Sequence, residues 1–441
     1  MAPSRKPNVI VLFSDDQRWG TIGAWGEEPV QTPNLDRLVK RGVSFDHAHI
    51  MGGDQGAVCV PSRAMLHTGQ TLWRASRNVQ APATDTEAAK RYTLLGEHFR
   101  ANGYLAHGIG KWHNPRSLFN RAFSSGEAIF FGGMSDHYKV PLQDYDPLGH
   151  YGKQRDYVAS KHSAEIFSDA SIRFLKAQDG SKPFLLYTAF TSPHDPRTAP
   201  PPFDRMYPAG KIQLPPNFAP EHPFDNGELK VRDELLAAFP RTPAEVKQHI
   251  ADYYGMISHL DAQIGRILDT VEASPWGANT VIVFAGDNGL ALGQHGLMGK
   301  QNVYEHSVRV PLILSGPGLT AGQRRNSLCY LLDIYPTLCD LCGINTPGSV
   351  EGKSLTRPKP REEVYLSYRT FQRAVRTNDW KMISYNVNGN RTVQLFDLKN
   401  DPWETMNLAG EPRLSKRLAE LTARLHKEMA DAADPADPKL F

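Results

Sequence analysis

The stretch NVIVLFSDD, residues 8–16, joins an almost continuous apolar run to a serine and two carboxylates. The pattern returns three times: YLAHGIG precedes Lys111, PFLLYTAF precedes Thr191, and TVIVFAG precedes Asp287. Segments with the apolar periodicity of amphipathic helices lie between these runs. Because near-continuous apolar strands alternate with helices, we expect an α/β fold with a large mixed, mostly parallel sheet sandwiched by helices.

The chain is expected to divide into two regions. Residues 1–345 would form the large α/β domain, and residues 346–441 a small C-terminal subdomain. Four runs in the second region predict a short antiparallel sheet, namely EEVYLSYR, FQRAVRTND, WKMISYN and TVQLFDL. The final segment, SKRLAELTARLHKEMADA, predicts an amphipathic helix whose apolar stripe packs on the body of the protein.

The composition of the 441 residues argues against several classes of protein. The net charge is +3 and the Lys and Arg residues are scattered, so no nucleic-acid partner is expected. No apolar run reaches the length of a membrane span, so no membrane association is expected. The amino terminus, MAPSRKPNVIVLF, has no hydrophobic signal region. As it stands the sequence predicts a cytoplasmic protein, or a periplasmic or secreted one if a signal peptide was removed. No particular oligomeric state is indicated.

The four cysteines are too few for a scaffold held by disulfides. Cys339 and Cys342 form a CxxC within SLCYLLDIYPTLCDLCG, which predicts an apolar helix closed by Gly343. Neither a second cysteine pair nor a histidine cluster accompanies them. We therefore expect both to pack in the core, in preference to a zinc or redox role.

Polar residues gather where the four strands end. Ligands of open parallel sheets bind at the carboxyl ends of the strands, so these residues should share one edge. Each has an ordinary alternative, since Asp-Asp and Asp-Asn-Gly are common in turns, but together they indicate a site. Its carboxylates and amide are hard oxygen ligands, which suit Ca²⁺ or Mg²⁺ and not structural zinc. The set comprises Asp15, Asp16, Lys111, His113, His194, Asp287 and Asn288.

A second pattern is GAVCVPSRAMLHTG, residues 56–69. Pro61 suits the start of a helix, which places Cys59 near free backbone N–H groups that favour an anion. Arg63 follows on the same helical face. A buried structural cysteine is the alternative. Lys300 lies in a Gly-rich loop, and a solvated lysine is the alternative interpretation of it. Together with Lys111 and Lys300, these residues suit transfer of a phosphoryl or similar group to a nucleophile at position 59.

Residues 59–69 resemble the C-x-P-S-R…T-G signature of the type I, formylglycine-dependent sulfatases of the alkaline phosphatase superfamily. NVIVLFSDDQ, GIGKWH, SPH, FAGDNG and HGLMGKQNVYEHSVRVP follow the order and spacing of that family. RAVRTNDWKMI and LFDLKNDPWETMNLA resemble its C-terminal segment, so the resemblance covers essentially the whole chain. One departure is Asn114-Pro115 after GKWH, where many members have Leu-Gly; we expect it to redirect the following loop without affecting the chemistry.

The resemblance implies a modified residue and a metal ion. A formylglycine-generating maturation enzyme would oxidise Cys59 to 3-oxoalanine (formylglycine), and the hydrated aldehyde would be the nucleophile that attacks sulfur. Calcium, with magnesium the less favoured ion, would complete the site. Its ligands in this chain would be Asp15, Asp16, Asp287 and Asn288.

The resemblance also implies functions for the cationic residues. Arg63 would position and polarise the nucleophile, while Lys111 and Lys300 would bind sulfate oxygens. Either His194 or Lys300 would protonate the leaving alcohol. His113 would take the proton whose loss lets sulfate depart.

Two segments are candidate walls of a substrate pocket. The region 114–155 is long, irregular and rich in aromatic residues with Asp and His, and DHAHIMGGDQ, residues 46–55, precedes Cys59. Loop packing on the sheet is the ordinary alternative. We expect a small-molecule or oligosaccharide sulfate ester, with a sulfated carbohydrate favoured over an aryl or alkyl sulfate. The candidate substrate-binding residues are His47, Asp54, His137 and His295.

Three other functions are considered. A phosphonate monoester or phosphodiester hydrolase of the same superfamily would share the fold and the formylglycine. A non-catalytic, glycan-binding relative would lack a nucleophile, a metal ligand or a cation, and this sequence has them all. An unmodified cysteine enzyme would use the thiolate of Cys59, and the mass at that position would separate it from the others.

Overall fold

The computed structural model describes residues 6–82, 84–356 and 360–441; residues 1–5, on which the expectation about a signal peptide partly rests, lie outside the described residues. The strands are β1 (Asn8–Ser14), β2 (Gly42–His49), β3 (Gly52–Gly53), β4 (Leu105–Lys111), β5 (Ser125–Phe130), β6 (Phe184–Ala189), β7 (Thr280–Gly286), β8 (Leu312–Ser315), β9 (Gln323–Tyr330), β10 (Glu363–Tyr368), β11 (Gln372–Thr377), β12 (Trp380–Val387) and β13 (Asn390–Asp397).

The α-helices are α1 (Pro33–Arg41), α2 (Cys59–Thr68), α3 (Leu72–Val79), α4 (Thr86–Lys90), α5 (Leu95–Ala101), α6 (Phe119–Ala122), α7 (Ser163–Lys176), α8 (Pro243–Glu272), α9 (Glu305–Val308), α10 (Ile334–Leu341) and α11 (Ser415–Asp431). Within the described ranges, none of these helices combines the length and the apolar character needed to cross a membrane.

The large sheet has the strand order β5-β4-β6-β1-β7-β8-β2-β9. β1 lies at its centre and pairs in parallel with β6 on one side and with β7 on the other. β8 runs antiparallel to both of its neighbours, and the other pairs in the sheet are parallel. The expected α/β fold with a mixed, mostly parallel sheet is therefore confirmed.

Both faces of the large sheet are buried. Along β1, Val9, Val11 and Phe13 belong to one apolar cluster, and Ile10 and Leu12 belong to another on the opposite face. Side chains of α2, α5 and α10 pack in the first cluster, and those of α1, α7 and α8 in the second. Burial on both sides explains why NVIVLF shows no alternation of apolar and polar residues.

The C-terminal region forms the antiparallel sheet that the sequence predicts, with β10, β11, β12 and β13 in order. β3 adds a fifth strand, since Gly52 and Gly53 pair in parallel with the end of β10. α11 buries Leu421, Leu425 and Met429 against this sheet, as its apolar stripe predicts. Because β3 comes from the first region of the chain, the two regions are joined through one sheet, and the boundary at residue 345 stays a prediction.

The segment SLCYLLDIYPTLCDLCG is not a single helix, so that expectation is wrong. Cys329 lies in β9, which pairs in parallel with β2, and α10 begins only at Ile334. The distant partner strand decides the first half, and a local run of apolar residues does not reveal such a partner. Gly343 does close the helix, with a left-handed φ of 61°. Cys339 and Cys342 are free and buried in the main apolar cluster.

Candidate active site

The ends of β1 and β7 bring three carboxylates together. Asp15 and Asp16 directly follow β1, and Asp287 directly follows β7. Asp16 has a left-handed φ of 62°, and its backbone N–H donates to Asp287 Oδ1 at 3.0 Å. The backbone N–H of Asp287 in turn donates to the carbonyl of Ser14 at 3.0 Å. These bonds between the strand ends hold the carboxylates at one edge, where the sequence pattern places them.

Cys59 is the first residue of α2 and is 1% exposed. Its Sγ lies 3.2 Å from Asp15 Oδ1 and 3.3 Å from Asn288 Oδ1, so its one S–H can donate to either, while Lys300 Nζ donates to the Sγ at 3.2 Å. Burial and the charges of Asp15 and Asp287 raise the pKa of the thiol well above its usual value. Without a bound cation the thiol is therefore protonated and a weak nucleophile.

Two lysines neutralise two of the buried carboxylates. Lys111 is the last residue of β4, and its Nζ donates to Asp15 Oδ2 at 2.6 Å. Lys300 Nζ donates to Asp16 Oδ1, also at 2.6 Å. Burial alone would raise the pKa of Asp15, but the neighbouring positive charges, led by that of Lys111, hold it well below the usual value. Asp15 is therefore an anion inside the protein.

Arg63 neutralises the third carboxylate from the second turn of α2. Its Nη2 and Nε donate to Asp287 Oδ2 at 2.8 and 3.1 Å, and its Nη1 donates to the carbonyl of Lys111 at 2.8 Å. The arginine is 0% exposed. Burial and the charge of Asp15 raise the pKa of Asp287 to about 6, and the positive charge of Arg63 opposes this rise. Arg63 thus ties the helix that carries Cys59 to the ends of two strands.

The residues at this edge fit a hard divalent cation. One carboxylate oxygen each from Asp15, Asp16 and Asp287 and the Sγ of Cys59 lie within 4.8 Å of one another. Asn288 Oδ1 faces the same sulfur. Carboxylate and amide oxygens are ligands of Ca²⁺ and Mg²⁺, and a divalent cation would relieve the mutual repulsion of the three carboxylates.

His194 lies at the edge of this cluster, with its Nε2 3.5 Å from Asp16 Oδ2. Its Nδ1 donates to the backbone carbonyl of Asp195 at 2.9 Å, which directs Nε2 toward the carboxylates. His137 is 1% exposed, and its Nε2 donates to the backbone carbonyl of His194 at 2.9 Å. His137 therefore supports the backbone at His194, and its contact with a substrate stays a prediction.

His113 follows β4 with a left-handed φ of 49°. Its ring packs against Gly133, where a Cβ atom would lie 2.6 Å from the imidazole. Burial, together with the charge of Lys111, lowers the pKa of His113 to about 2. Its buried Nδ1 has no hydrogen-bond partner among the described residues. The ring is therefore neutral.

The other three candidate substrate-binding residues are not brought together at the cysteine. His47 Nδ1 accepts from Arg376 at 3.0 Å. His295 stacks on Tyr304 at 4.0 Å between ring centroids. Asp54 is partly buried just beyond β3, and burial raises its pKa. Contact of these three with a substrate stays a prediction.

Sequence reasoning missed several residues that contact His194, Asp195 or Asp16. Asp195 Oδ1 lies 3.4 Å from His194 Nδ1 and accepts from Arg232 Nη1 at 3.1 Å. Tyr253, on α8, donates from its hydroxyl to the backbone carbonyl of Asp16 at 2.7 Å. Asp195 directly follows SPH, so its position is a signal that could have identified it. Arg232 and Tyr253 lie in segments without a comparable signal.

Comparison with known proteins decides the family. The sulfatase family model matches residues 7–344, which carry the whole cluster. The chain belongs to the sulfatase family. A model for the C-terminal part of N-sulphoglucosamine sulphohydrolase matches residues 293–432 of the sulfatase. The match to the sulfatase model makes the protein a sulfuric ester hydrolase.

Similar sulfatases cover nearly the full length. A sulfatase of Formosa agariphila is 30% identical over 459 aligned residues, which cover 96% of this chain and 87% of that protein. The N-acetylglucosamine-6-O-sulfatase of Bacteroides thetaiotaomicron is 26% identical, covering 98% and 88%. A structure solved with its substrate D-glucosamine-2-N,6-O-disulfate has a TM-score of 0.77 at 23% identity, covering 98% and 99%. The last comparison shows that the fold is shared.

Proposed function

We propose that this sulfatase hydrolyses a sulfate ester of a carbohydrate, using a formylglycine made from Cys59 and a bound Ca²⁺. The observation that carries the proposal is the setting of Cys59. It lies at the first position of α2, among three carboxylates, an amide and three cationic side chains. An oxygen at this position would join an all-oxygen shell of the kind that Ca²⁺ prefers, which a thiol sulfur does not fit.

The modified residue would supply a hydroxyl nucleophile, and the metal ion would supply a positive charge that stabilises the negative charge on the sulfate oxygens. Lys111 Nζ donates to Asp15 and Lys300 Nζ donates to Asp16. Both ammonium groups therefore lie in the cluster and can bind the remaining sulfate oxygens. Arg63 fixes α2 through Asp287 and so orients position 59.

Two histidines are placed for proton transfer. His194 directs its Nε2 toward the carboxylate edge, where it can donate to the leaving alcohol. Lys300 Nζ, 3.2 Å from the Sγ of Cys59, is the other candidate for that role. The resemblance to the sulfatases gives the second role to His113, whose buried Nδ1 has no partner among the described residues and is free to accept a proton.

A carbohydrate substrate is supported by the relatives. The N-acetylglucosamine-6-O-sulfatase and an ulvan-active sulfatase, 26% and 28% identical, each align with 96% or more of this chain. The rival is a phosphonate monoester or phosphodiester hydrolase, since such esters carry the same single charge as a sulfate ester. Catalytic efficiency on sulfate and phosphodiester forms of one sugar separates the two, and we expect the sulfate to be preferred.

Mass spectrometry of the tryptic peptide that spans residues 42–63 tests the modification directly. After co-expression with a formylglycine-generating enzyme, we expect an aldehyde or its hydrate at position 59. Cys59→Ala should fold and lose at least about 10³-fold in kcat, because it removes the nucleophile alone. Cys342→Ala, which changes a buried cysteine of the core, is the matched control and should keep its activity. An intact thiol after co-expression, or near-wild-type turnover by Cys59→Ala, would refute the proposal.

A further inference from the structure

A second group of cationic side chains surrounds a surface cavity of about 430 Å³. Ligand cavities commonly measure about 300–1,000 Å³, so this one is large enough for a sugar unit. Among the described residues, no acidic side chain lines it. An anionic ligand is therefore the one that its lining would attract. The lining consists of three arginines and two amides, namely Gln70, Arg74, Arg77, Asn78 and Arg91.

The cavity is built on α3 and on the segment that follows that helix. Arg74, Arg77 and Asn78 are spaced by three and four residues, so they share one helical face. Asn78 Oδ1 accepts from Arg91 Nε at 3.0 Å, and Asn78 Nδ2 donates to Gln70 Oε1 at 2.8 Å. Gln70 Nε2 donates in turn to the backbone carbonyl of Arg91 at 3.1 Å. Two buried amides thus hold Arg91 beside the two arginines of α3.

The guanidinium groups keep donors that reach solvent. Arg77 is exposed and forms no hydrogen bond or ion pair with any residue that the structure describes. Arg74 donates from Nη1 to Glu351 Oε1 at 2.7 Å and to the backbone carbonyl of Asp431 at 3.0 Å. Its Nε and Nη2 have no partner within the described ranges and are not among the buried atoms. The edge of Arg74 that can bind two oxygens of one oxyanion is therefore accessible.

The nearby carboxylates leave one positive charge unmatched. Glu351 pairs with Arg74 Nη1, and its Oε2 also accepts from the backbone N–H and the hydroxyl of Thr71. Asp85 caps α4 through Oδ1, and its Oδ2 lies 3.6 Å from Arg91 Nη2. Three guanidinium groups are thus balanced by two carboxylates. An oxyanion in the cavity would supply the missing charge and relieve the repulsion between the arginines.

The cavity is separate from the candidate active site. Cys59 is the first residue of α2, whereas Gln70 lies just beyond the other end of that helix. The ten residues of α2 span about 15 Å. No residue that lines the cavity belongs to the carboxylate cluster around Cys59. A ligand in the cavity would therefore leave the nucleophile position unoccupied.

We propose that this cavity binds a sulfate group carried by a saccharide, at a site separate from the one that hydrolyses the ester. Three arginines suit a tetrahedral oxyanion, because its several oxygens can accept from more than one guanidinium group. The volume of the cavity favours an anion attached to a sugar unit over a free ion. The choice of a saccharide rests on the proposed function, whereas the choice of an oxyanion rests on the arginines alone.

Hydrogen exchange followed by mass spectrometry tests binding at the cavity directly. The ligand is sucrose octasulfate, and the protein keeps an unmodified Cys59 so that the ligand is not hydrolysed. We expect the ligand to slow exchange in peptides from residues 70–91, while peptides that contain His194 report on the candidate active site separately. Sucrose, and sodium sulfate at the same sulfate concentration and ionic strength, should leave exchange in residues 70–91 unchanged.

Arg77→Gln should weaken binding at residues 70–91 by about 10- to 100-fold, the range for a hydrogen bond to a charged group. Arg77→Lys, which keeps the charge but loses the planar fork, should retain part of the affinity. Because Arg77 has no partner in the described part of the chain, Arg77→Gln should match the wild type in melting temperature and in turnover of a monosaccharide sulfate. Arg413→Gln removes the same charge from a side chain that is 78% exposed outside the cavity, and it should bind like the wild type.

Each contrary result has a distinct meaning. Unchanged exchange in residues 70–91, or equal binding by wild type and Arg77→Gln, would overturn this inference and leave the proposed function intact. Equal protection by sodium sulfate would show a site for the free ion, and the saccharide would be the wrong ligand. If the cavity binds sucrose octasulfate but the sulfatase hydrolyses no carbohydrate sulfate, the proposed function fails and the binding site stands.

Discussion

His67 offers a quantitative test of how the helix of Cys59 is packed. It lies two turns further along α2 and is 2% exposed. Its ring is surrounded by aromatic side chains, 4.8 Å from Trp112 and 4.7 Å from Tyr187 between ring centroids. Both ring nitrogens are buried without a partner among the described residues. Burial, with the charge of Arg63, lowers the pKa of His67 to about 3.

The sign of the pH effect follows from this shift. An unfolded histidine binds a proton near pH 6.5, whereas folded His67 does so only near pH 3. Between these values the unfolded state binds more protons, so the free energy of unfolding is highest above pH 6.5 and falls as the pH falls. At 1.36 kcal/mol per pKa unit, protonation of His67 in the unfolded state should remove about 2 kcal/mol between pH 7 and pH 5.

His67→Phe should remove this acid sensitivity because phenylalanine keeps the aromatic contacts and has no ring nitrogen. Urea unfolding at pH 7 and pH 5 measures the effect as a difference between wild type and variant. The contributions of the other buried histidines to the pH dependence then cancel, because wild type and variant share them. His150→Gln, at an exposed position, is the control and should follow the wild type. If wild type and His67→Phe lose the same stability on acidification, the ring is not buried as a neutral group and the reasoning fails.

Two further substitutions test the framework of the site. Arg63→Met leaves Asp287 buried without its cation and should lower the free energy of unfolding by about 3–5 kcal/mol in urea melts, whereas a loss below about 1 kcal/mol would contradict the buried pair. Gly110→Ala should lower the melting temperature and activity together, because φ is 81° and a Cβ would collide with the carbonyl of Ala189 beside Lys111. Gly103→Ala is its control: φ is 90° but nothing lies within 4 Å, so the loss should be only about 1 kcal/mol.

The part of the site that the sequence predicts is the part that strand topology determines. Asp15, Lys111 and Asp287 each follow an apolar run, and parallel strands place their carboxyl ends at one edge regardless of the loops between them. Cys59 was located by the helix-start chemistry around Pro61, and α2 begins at that cysteine. Local patterns were sufficient for these positions because each is fixed by its own strand or helix.

What the sequence did not predict depends on pairings between distant segments. Cys329 belongs to a strand only because β9 pairs with β2, and Gly52 belongs to the C-terminal sheet only because it pairs with β10. Arg232 meets Asp195 from 37 residues away, in a segment without helical or strand periodicity. The bond from His137 Nε2 to the backbone carbonyl of His194 likewise joins residues far apart in the chain, and contact of His137 with a substrate stays a prediction.

The candidate site pairs each buried carboxylate with one cation. Three negative and three positive charges balance, and the pairing stabilises a cluster that would otherwise be costly to bury. A divalent cation bound by the carboxylates would shift that balance to +2 and leave the cations to attract an anionic ester. The residues that allow the cluster to stay buried are therefore the same ones that would bind the sulfate. Replacing any one of the three cationic side chains should accordingly impair folding and substrate binding together. The pairs are Asp15 with Lys111, Asp16 with Lys300, and Asp287 with Arg63.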